Sequence, residues 1–368
     1  MTTSTTPHDP LEAWREPLRV SDPADLIVAV PALLGFHPHR SLVIVCLGGG
    51  SASSVGAVLR HDLIPPDRSG HRSDRMIAAV EQFGAICGNE GARAALAVIV
   101  DDVGDRESYD DVVGMLAASL AANGAELVGA HVTACIEAGQ RWWSLLGDPR
   151  SGVLPDPFAS RVAAAHVLEG RQIWASRSEL SGLLDGGDDL ERRAVADAVD
   201  QLREGALFDR LGSRSRVETP REVSRARLDL VLWQITTVAS GERLQPIEFA
   251  ELVLALDDRV VRDAAMALAV GDDAVAAERL WIELARVAPD PYRADAATLF
   301  GYCAYVRGDG PLAGIAFSAA LESNPAHGAA GLLDSALQHG IRPELVRKLA
   351  DTGFDCARRL GVDLPPPT

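Results

Sequence analysis

Residues 22–50, DPADLIVAVPALLGFHPHRSLVIVCLGGG, decide the fold. Asp22 is a helix N-cap, Pro23 suits the first helical position, and Asp25 favours the positive helix end. Leu26, Val30, Leu33 and Leu34 fall on one helical face. Pro31 removes a donor, which predicts a short or kinked helix, and Gly35 can take the left-handed conformation that ends it. After the bent link through His37 and Pro38, residues 41–47 are continuously apolar and read as a strand buried on both faces. A helix feeding such a strand is the start of an α/β core.

Outward from there the period alternates between helix and strand. Residues 48–54 read as a turn and 55–63 as a second strand, forming a hairpin. Residues 73–87 are helical, 94–100 a continuous apolar strand, and 109–121 a helix closed by Asn123-Gly124. Residues 127–137 alternate, with Val128, Ala130, Val132, Ala134 and Ile136 on one face and His131, Thr133, Cys135 and Glu137 on the other. A returning strand over 140–146 carries Trp142 and Trp143 on opposite faces, so at most one belongs to the core. A loop over 147–157, a helix over 160–168 and a short strand at 172–174 follow. Ser176 and Glu179 have capping-box spacing, Gly186-Gly187 breaks the pattern, and every later segment is helical, including a strong start at Thr219-Pro220-Arg221-Glu222.

In the last third Ala277, Trp281 and Pro289 recur 36 residues later as Ala313, Phe317 and Pro325. Together with Gly301 and Ala320 this is the spacing of a tetratricopeptide unit, which the segment resembles. The expected fold is therefore an α/β N-terminal module, a mixed sheet with packed helices, followed by an all-α, tetratricopeptide-like helical domain. The expected boundaries are a flexible leader over 1–18, the α/β domain over 19–185, the helical domain over 186–362 with its clearest repeats at 264–325, and a tail over 363–368.

Composition excludes several functions. The chain has 368 residues, 47% hydrophobic, and a net charge of −17 spread over both halves, which opposes nucleic acid and anionic membrane. Lysine is almost absent and arginine replaces it, the skew of a GC-rich coding genome. The five cysteines are far apart without a CxxC pair, so neither a disulfide framework nor a zinc site is expected, and no cofactor is implied. No segment resembles a signal peptide or a membrane span, which reads as a cytoplasmic protein.

Three ordered blocks, SDPADLIVAVPALLGFHPHRSLVIVCL, RWWSLL and SRVAAAHVLEGRQIWASRSEL, are completed by LWIELARVAP and AATLFGYCAYVRGDGPLAGIAFSAALESNP. Together they resemble the actinobacterial domain-of-unknown-function family 4192 over roughly residues 18–340. The resemblance implies no activity, cofactor or residue role. Many members of that family resemble one another in a Cys- and Pro-rich stretch after the tryptophan pair. The corresponding GDPRSGVLPDP has no cysteine, so a metal held there in relatives would have no ligands in this chain.

Several residues carry chemistry in principle. His37 and His39 are spaced as a metal pair on an extended segment, but Pro38 between them and the absence of a nearby carboxylate favour a packing role for His37. Gly48-Gly49-Gly50 lacks the following helix and lysine of a phosphate loop. Arg60 and Asp62 share a strand face, and Asp101-Asp102 end a strand where open α/β sheets bind ligands. A solvated ion pair and a loop cap are the plainer readings of these two pairs. His131 and Cys135 lie too far apart along a strand for direct activation, and their polar strip reads as an edge face or one wall of a cleft beside Arg141, Trp142 and Trp143. The arginine-dense stretch over 192–227 holds acidic residues in near-equal number, as expected for a helical surface laced with ion pairs.

No catalytic signature emerges. The leading expectation is a protein-interaction or regulatory module that meets a protein partner through its helical repeats. The alternative is an enzyme with a small-molecule pocket at the strand ends, with Asp101, Arg60, Asp62 and His37 as catalytic candidates and Arg141, Trp142 and Trp143 as binding candidates.

Overall fold

A computed structural model describes residues 22–48, 55–67, 71–104, 107–168, 172–185, 187–212 and 219–365. The leader, most of the turn after residue 48 and Gly186 lie outside them. The chain divides into two compact units, one ending at Arg177 and the other beginning at Ser178.

In the first unit, α1 (Pro23–Leu34) is capped as its sequence predicts. Asp22 Oδ1 accepts from Ala24 N at 3.0 Å, and Gly35 closes the helix with φ 74°. The expected single apolar face is an underestimate, because nearly every residue of α1 is buried and the helix runs through Pro31. The strands β1 (Ser41–Leu47), β2 (Val55–Asp62), β3 (Ala94–Val100), β4 (Glu126–Thr133), β5 (Arg141–Ser144) and β6 (Ser151–Val153) form one mixed sheet in the order β2-β1-β3-β4-β5-β6. Only β3 and β4 are parallel. They are joined by α3 (Glu107–Ala122), while α2 (Asp74–Asn89) joins β2 to β3. Leu42, Ile44 and Cys46 of β1, Ala95, Ala97 and Ile99 of β3, and Ala130 and Val132 of β4 share one apolar cluster with both helices. Gly84 of α2 makes the helix crossing possible, since a Cβ there would lie 2.7 Å from the Ser119 carbonyl oxygen.

Four expectations for this unit need correction. β4 ends at Thr133 rather than continuing to 137, and it is an interior strand, so its polar strip is not an edge. His131 and Thr133 are buried, at 6% and 0% exposure. The perfect alternation also fails, because the parallel ladder slips between Ala95 and Leu96 and leaves Val128 unpaired and exposed. An inserted residue turns the following side chains over, which alternation alone does not reveal. Third, the loop over 147–157 contains β6. The tryptophans meet expectation: Trp142 alone is buried in the core, and the half-buried Trp143 packs from the other face of the strand against the apolar cluster. Fourth, the strand expected at 172–174 is reduced to one bridge, Phe36 to Trp174, and α4 (Arg161–Leu168) precedes it.

The second unit is helical throughout: α5 (Arg177–Asp185), α6 (Asp189–Gly212), α7 (Pro220–Ala239), α8 (Pro246–Leu256), α9 (Arg259–Ala265), α10 (Ala274–Val287), α11 (Arg293–Val306), α12 (Gly310–Ser323), α13 (Gly328–Gln338), α14 (Pro343–Arg347) and α15 (Leu349–Leu360). The capping box at Thr219 and Glu222 is formed, with the Thr219 N–H donating to Glu222 Oε2 at 2.8 Å. Trp281 and Phe317, the aromatics at the 36-residue offset, are wholly buried, as are Ala277 and Ala313. Gly301 lets α11 and α12 approach, because a Cβ there would lie 2.5 Å from the Phe317 ring. α11 is enclosed on all sides, with residues 294–305 all buried. Part of its cover is the chain's own C-terminal segment, where Tyr305 donates to Ile341 O at 2.6 Å and Tyr302 to Val346 O at 3.3 Å.

Candidate functional site

Topology gathers the chemistry-bearing residues of the first unit along one rim. Ser41 pairs with Asp62 on one side and Val100 on the other, and Val100 pairs with Thr133. The start of β1, the end of β2 and the ends of β3 and β4 therefore lie side by side. Here Asp101 N donates to Thr133 O at 3.0 Å.

Asp101 is held as a loop cap. Its carboxylate accepts from the Gly104 N–H at 3.1 Å and from the Tyr109 hydroxyl at 2.9 Å, and its side chain is 10% exposed. Arg40 approaches Asp101 at 3.9 Å and Asp102 at 3.7 Å, too long for hydrogen bonds, and its side chain stays half-exposed. Among the described residues Arg40 alone has a positive φ outside glycine, 43°. This conformation turns its carbonyl to accept from Leu63 N at 2.7 Å. Beside them Arg72 donates to both Asp111 oxygens at 2.6 and 2.7 Å and to Ile64 O at 2.9 Å. That fork holds the Asp111 carboxyl below the usual carboxylate range. Arg40, Leu63, Pro65, Pro66, Arg72, Asp101, Val103, Gly104 and Tyr109 line a pocket of about 260 Å³.

Of the seven residues singled out from the sequence, Asp101 alone lines this pocket. Arg60 is folded back, donating to Ser41 Oγ at 2.9 Å and pairing with Asp62 at 2.5 Å, with its guanidinium 6.0 Å from the Phe36 ring centroid. Asp62 is exposed. His37 packs its ring 5.8 Å from Phe158, and burial holds its pKa below the usual histidine value despite Glu137 and a hydrogen bond to the Ile136 backbone. Arg141 is an exposed residue opposite Val153 in the sheet. Trp142 stacks edge-on against His131, with centroids 5.4 Å apart, and Trp143 lies on the helix-facing side. Arg60, Asp101 and the tryptophans thus do not converge on one concavity. Burial and Glu137 push the Cys135 thiol up, so it is no ready nucleophile. Among the described residues no group of three or more His, Cys, Asp or Glu side chains could hold a metal.

Sequence reasoning missed Arg40, Arg72 and Tyr109. No local pattern marks them, since their meeting depends on a left-handed turn and a pairing between α3 and the loop before α2. It also missed a buried polar network in the second unit. There Asp295 accepts from Arg262 at 2.7 Å and from His327 Nε2 at 2.9 Å, while His327 Nδ1 accepts from Ala330 N at 3.1 Å and so caps α13. Thr298 Oγ1 lies 3.3 Å from the same Nδ1. The network resembles a hydroxyl, imidazole and carboxylate relay, but Thr298 donates to Ala294 O at 2.6 Å and is wholly buried. Its role is to fasten α9, α11 and α13 together.

His131 gives the first unit a pH dependence. Its ring is buried with Nδ1 lacking a hydrogen-bond partner, and burial, aided by Arg150, lowers its pKa below 6.5. The unfolded chain takes up this proton near pH 6.5 and the folded one resists it, so ν is larger in the unfolded state below that value. Stability from this group is complete above pH 6.5 and declines as pH falls through the lower folded pKa. Thermal melts at pH 8 and pH 5 are expected to show this loss. His131→Gln should flatten the profile, with His37 contributing in the same direction.

A single family accounts for most of the chain, matching residues 23–344. The chain belongs to the DUF4192 family. This is a domain of unknown function, so membership in DUF4192 brings no residue roles with it. The matched span starts at the first residue of α1 and extends into α14, taking in nearly all of both units. No curated protein and no solved structure matches the chain. No described helix is long and apolar enough to cross a membrane.

Proposed function

We propose that this DUF4192 chain is a protein-interaction or regulatory module of an actinobacterial cytoplasm, with the helical unit receiving a protein partner. The observation that carries this reading is Trp233, 68% exposed in the middle of α7 on a helix whose other face is buried. Leaving so large an apolar ring in water forgoes the burial that favours folding, and tryptophan is the residue most enriched at the centres of protein interfaces. The tetratricopeptide-like reading of α10 to α13 supports it, because stacked helix pairs build extended binding surfaces. With α11 enclosed by its own chain, the partner would meet the outer helices. The net charge of −17 argues against nucleic acid and anionic membrane as partners.

Quantitative affinity capture from native lysate tests the proposal. A partner should be recovered with the full chain and lost with Trp233→Ala, whose helical circular dichroism should be unchanged. Equal recovery by the variant, or no recovery by either, overturns it.

A second reading, small-molecule binding at the strand ends, is favoured by the pocket around Asp101. It predicts a ligand-induced thermal shift that Arg40→Ala abolishes, since Arg40 is the half-exposed cation there. A shift that persists in Arg40→Ala sinks that placement.

A further inference from the structure

The five cysteines are remote from one another in sequence, and all are free thiols. The fold nevertheless brings two of them to one place. Cys46 lies on the helix-facing side of β1, and Cys87 lies in the last turn of α2 facing the sheet, both within the same apolar cluster at 1% and 0% exposure. The backbone explains the meeting. Ala92 N donates to Cys87 O at 2.9 Å, Arg93 N donates to Leu47 O at 3.2 Å, and the chain then enters β3, where Ala95 stands opposite Cys46. Interaction between the two side chains holds the Cys87 thiol below the usual thiol value and pushes Cys46 up. Neither Cys135, Cys303 nor Cys356 belongs to this cluster.

We propose that Cys46 and Cys87 are an oxidant-responsive dithiol that closes to a disulfide between β1 and α2. The oxidant is a peroxide. The Cys87 thiolate attacks one peroxide oxygen, the O–O bond breaks, and the departing hydroxide takes a proton to become water. The Cys46 sulfur then attacks the Cys87 sulfenic sulfur, the S–O bond breaks, and the second oxygen leaves as water with the Cys46 proton. Two thiols give up two protons and two electrons, and one peroxide becomes two waters. A sulfur–sulfur bond of about 2.05 Å requires the two side chains to close to bonding distance. β1 can yield there, because its ladder with β2 is irregular between Val45 and Leu47, which leaves Cys46 without a partner on that side.

The experiment treats the reduced, folded full chain with hydrogen peroxide, denatures it, alkylates the remaining thiols and maps the peptides. Two of the five cysteines should resist alkylation. The Cys46 and Cys87 peptides should be linked, dithiothreitol should separate them, and the oxidised protein should melt at a higher temperature than the reduced one. Cys46→Ser should abolish the linked peptide and leave Cys87 to over-oxidise. Alkylation of all five thiols after peroxide overturns the proposal, as does sulfinic acid on Cys87 with Cys46 still alkylatable. The wild-type peptide map decides the matter even where the variant does not fold.

Discussion

Asp295→Ala is expected to lower the melting temperature of the helical unit by about 10 °C or more. Asp295 is 8% exposed and is the shared acceptor of Arg262 and His327. Deleting it leaves the Arg262 guanidinium, whose Nε already lacks a partner, as a largely buried charge without its counter-ion. Removing one member of a buried pair costs about 3–5 kcal/mol, mostly through the charge left behind. The His327 ring would also lose the bond that orients it to cap α13. Asp295→Asn keeps an acceptor oxygen and should lose less, so the difference between the two variants separates the charge from the hydrogen bonds. Equilibrium urea unfolding measures both, and a loss under about 1 kcal/mol for Asp295→Ala would place the network in water rather than in the core.

Trp281→Ala should be comparably severe, with an expected loss of about 3–5 kcal/mol in the same urea experiment. Its side chain is wholly buried on a helix whose Ala277, Leu284 and Ala285 are buried as well. Phe317→Ala tests the repeat directly. If the two aromatics are equivalent anchors of successive helix pairs, its loss should fall in the same range. Trp233→Ala, by contrast, removes an exposed ring and should change stability by less than about 0.5 kcal/mol.

These contrasts show what kind of information a single sequence carries. Ala277, Trp281, Ala313 and Phe317 were legible as core, because small and aromatic residues at a fixed offset have few other uses in a helical array. The caps at Asp22 and Thr219 were legible for the same local reason, since the side chain bonds to a backbone group two or three residues on. The burial of His131 was not, because alternation gives the face a side chain points to but not that this second face is covered as well, here by Trp142. The Cys46–Cys87 contact and the Asp295 network were hidden for a further reason. Both join elements distant in sequence, and composition and periodicity describe only neighbours along the chain. Of the rim, the sequence pointed to Asp101, but Arg40 and Tyr109 came to it only through three-dimensional pairing.

The strand order β2-β1-β3-β4-β5-β6 has a kinetic consequence. Each strand adjoins one that is next or next but one to it along the chain, and the widest closure is β1 with β3, where Ser41 meets Val100 across β2 and α2. Loop-closure entropy is therefore largest at that pairing and smaller at every other one in the sheet. The β1–β2 hairpin, then β3 beside β1, then β4 delivered by α3, can assemble in the order in which the ribosome releases them. A nascent chain that has reached β6 therefore already holds every strand of its sheet.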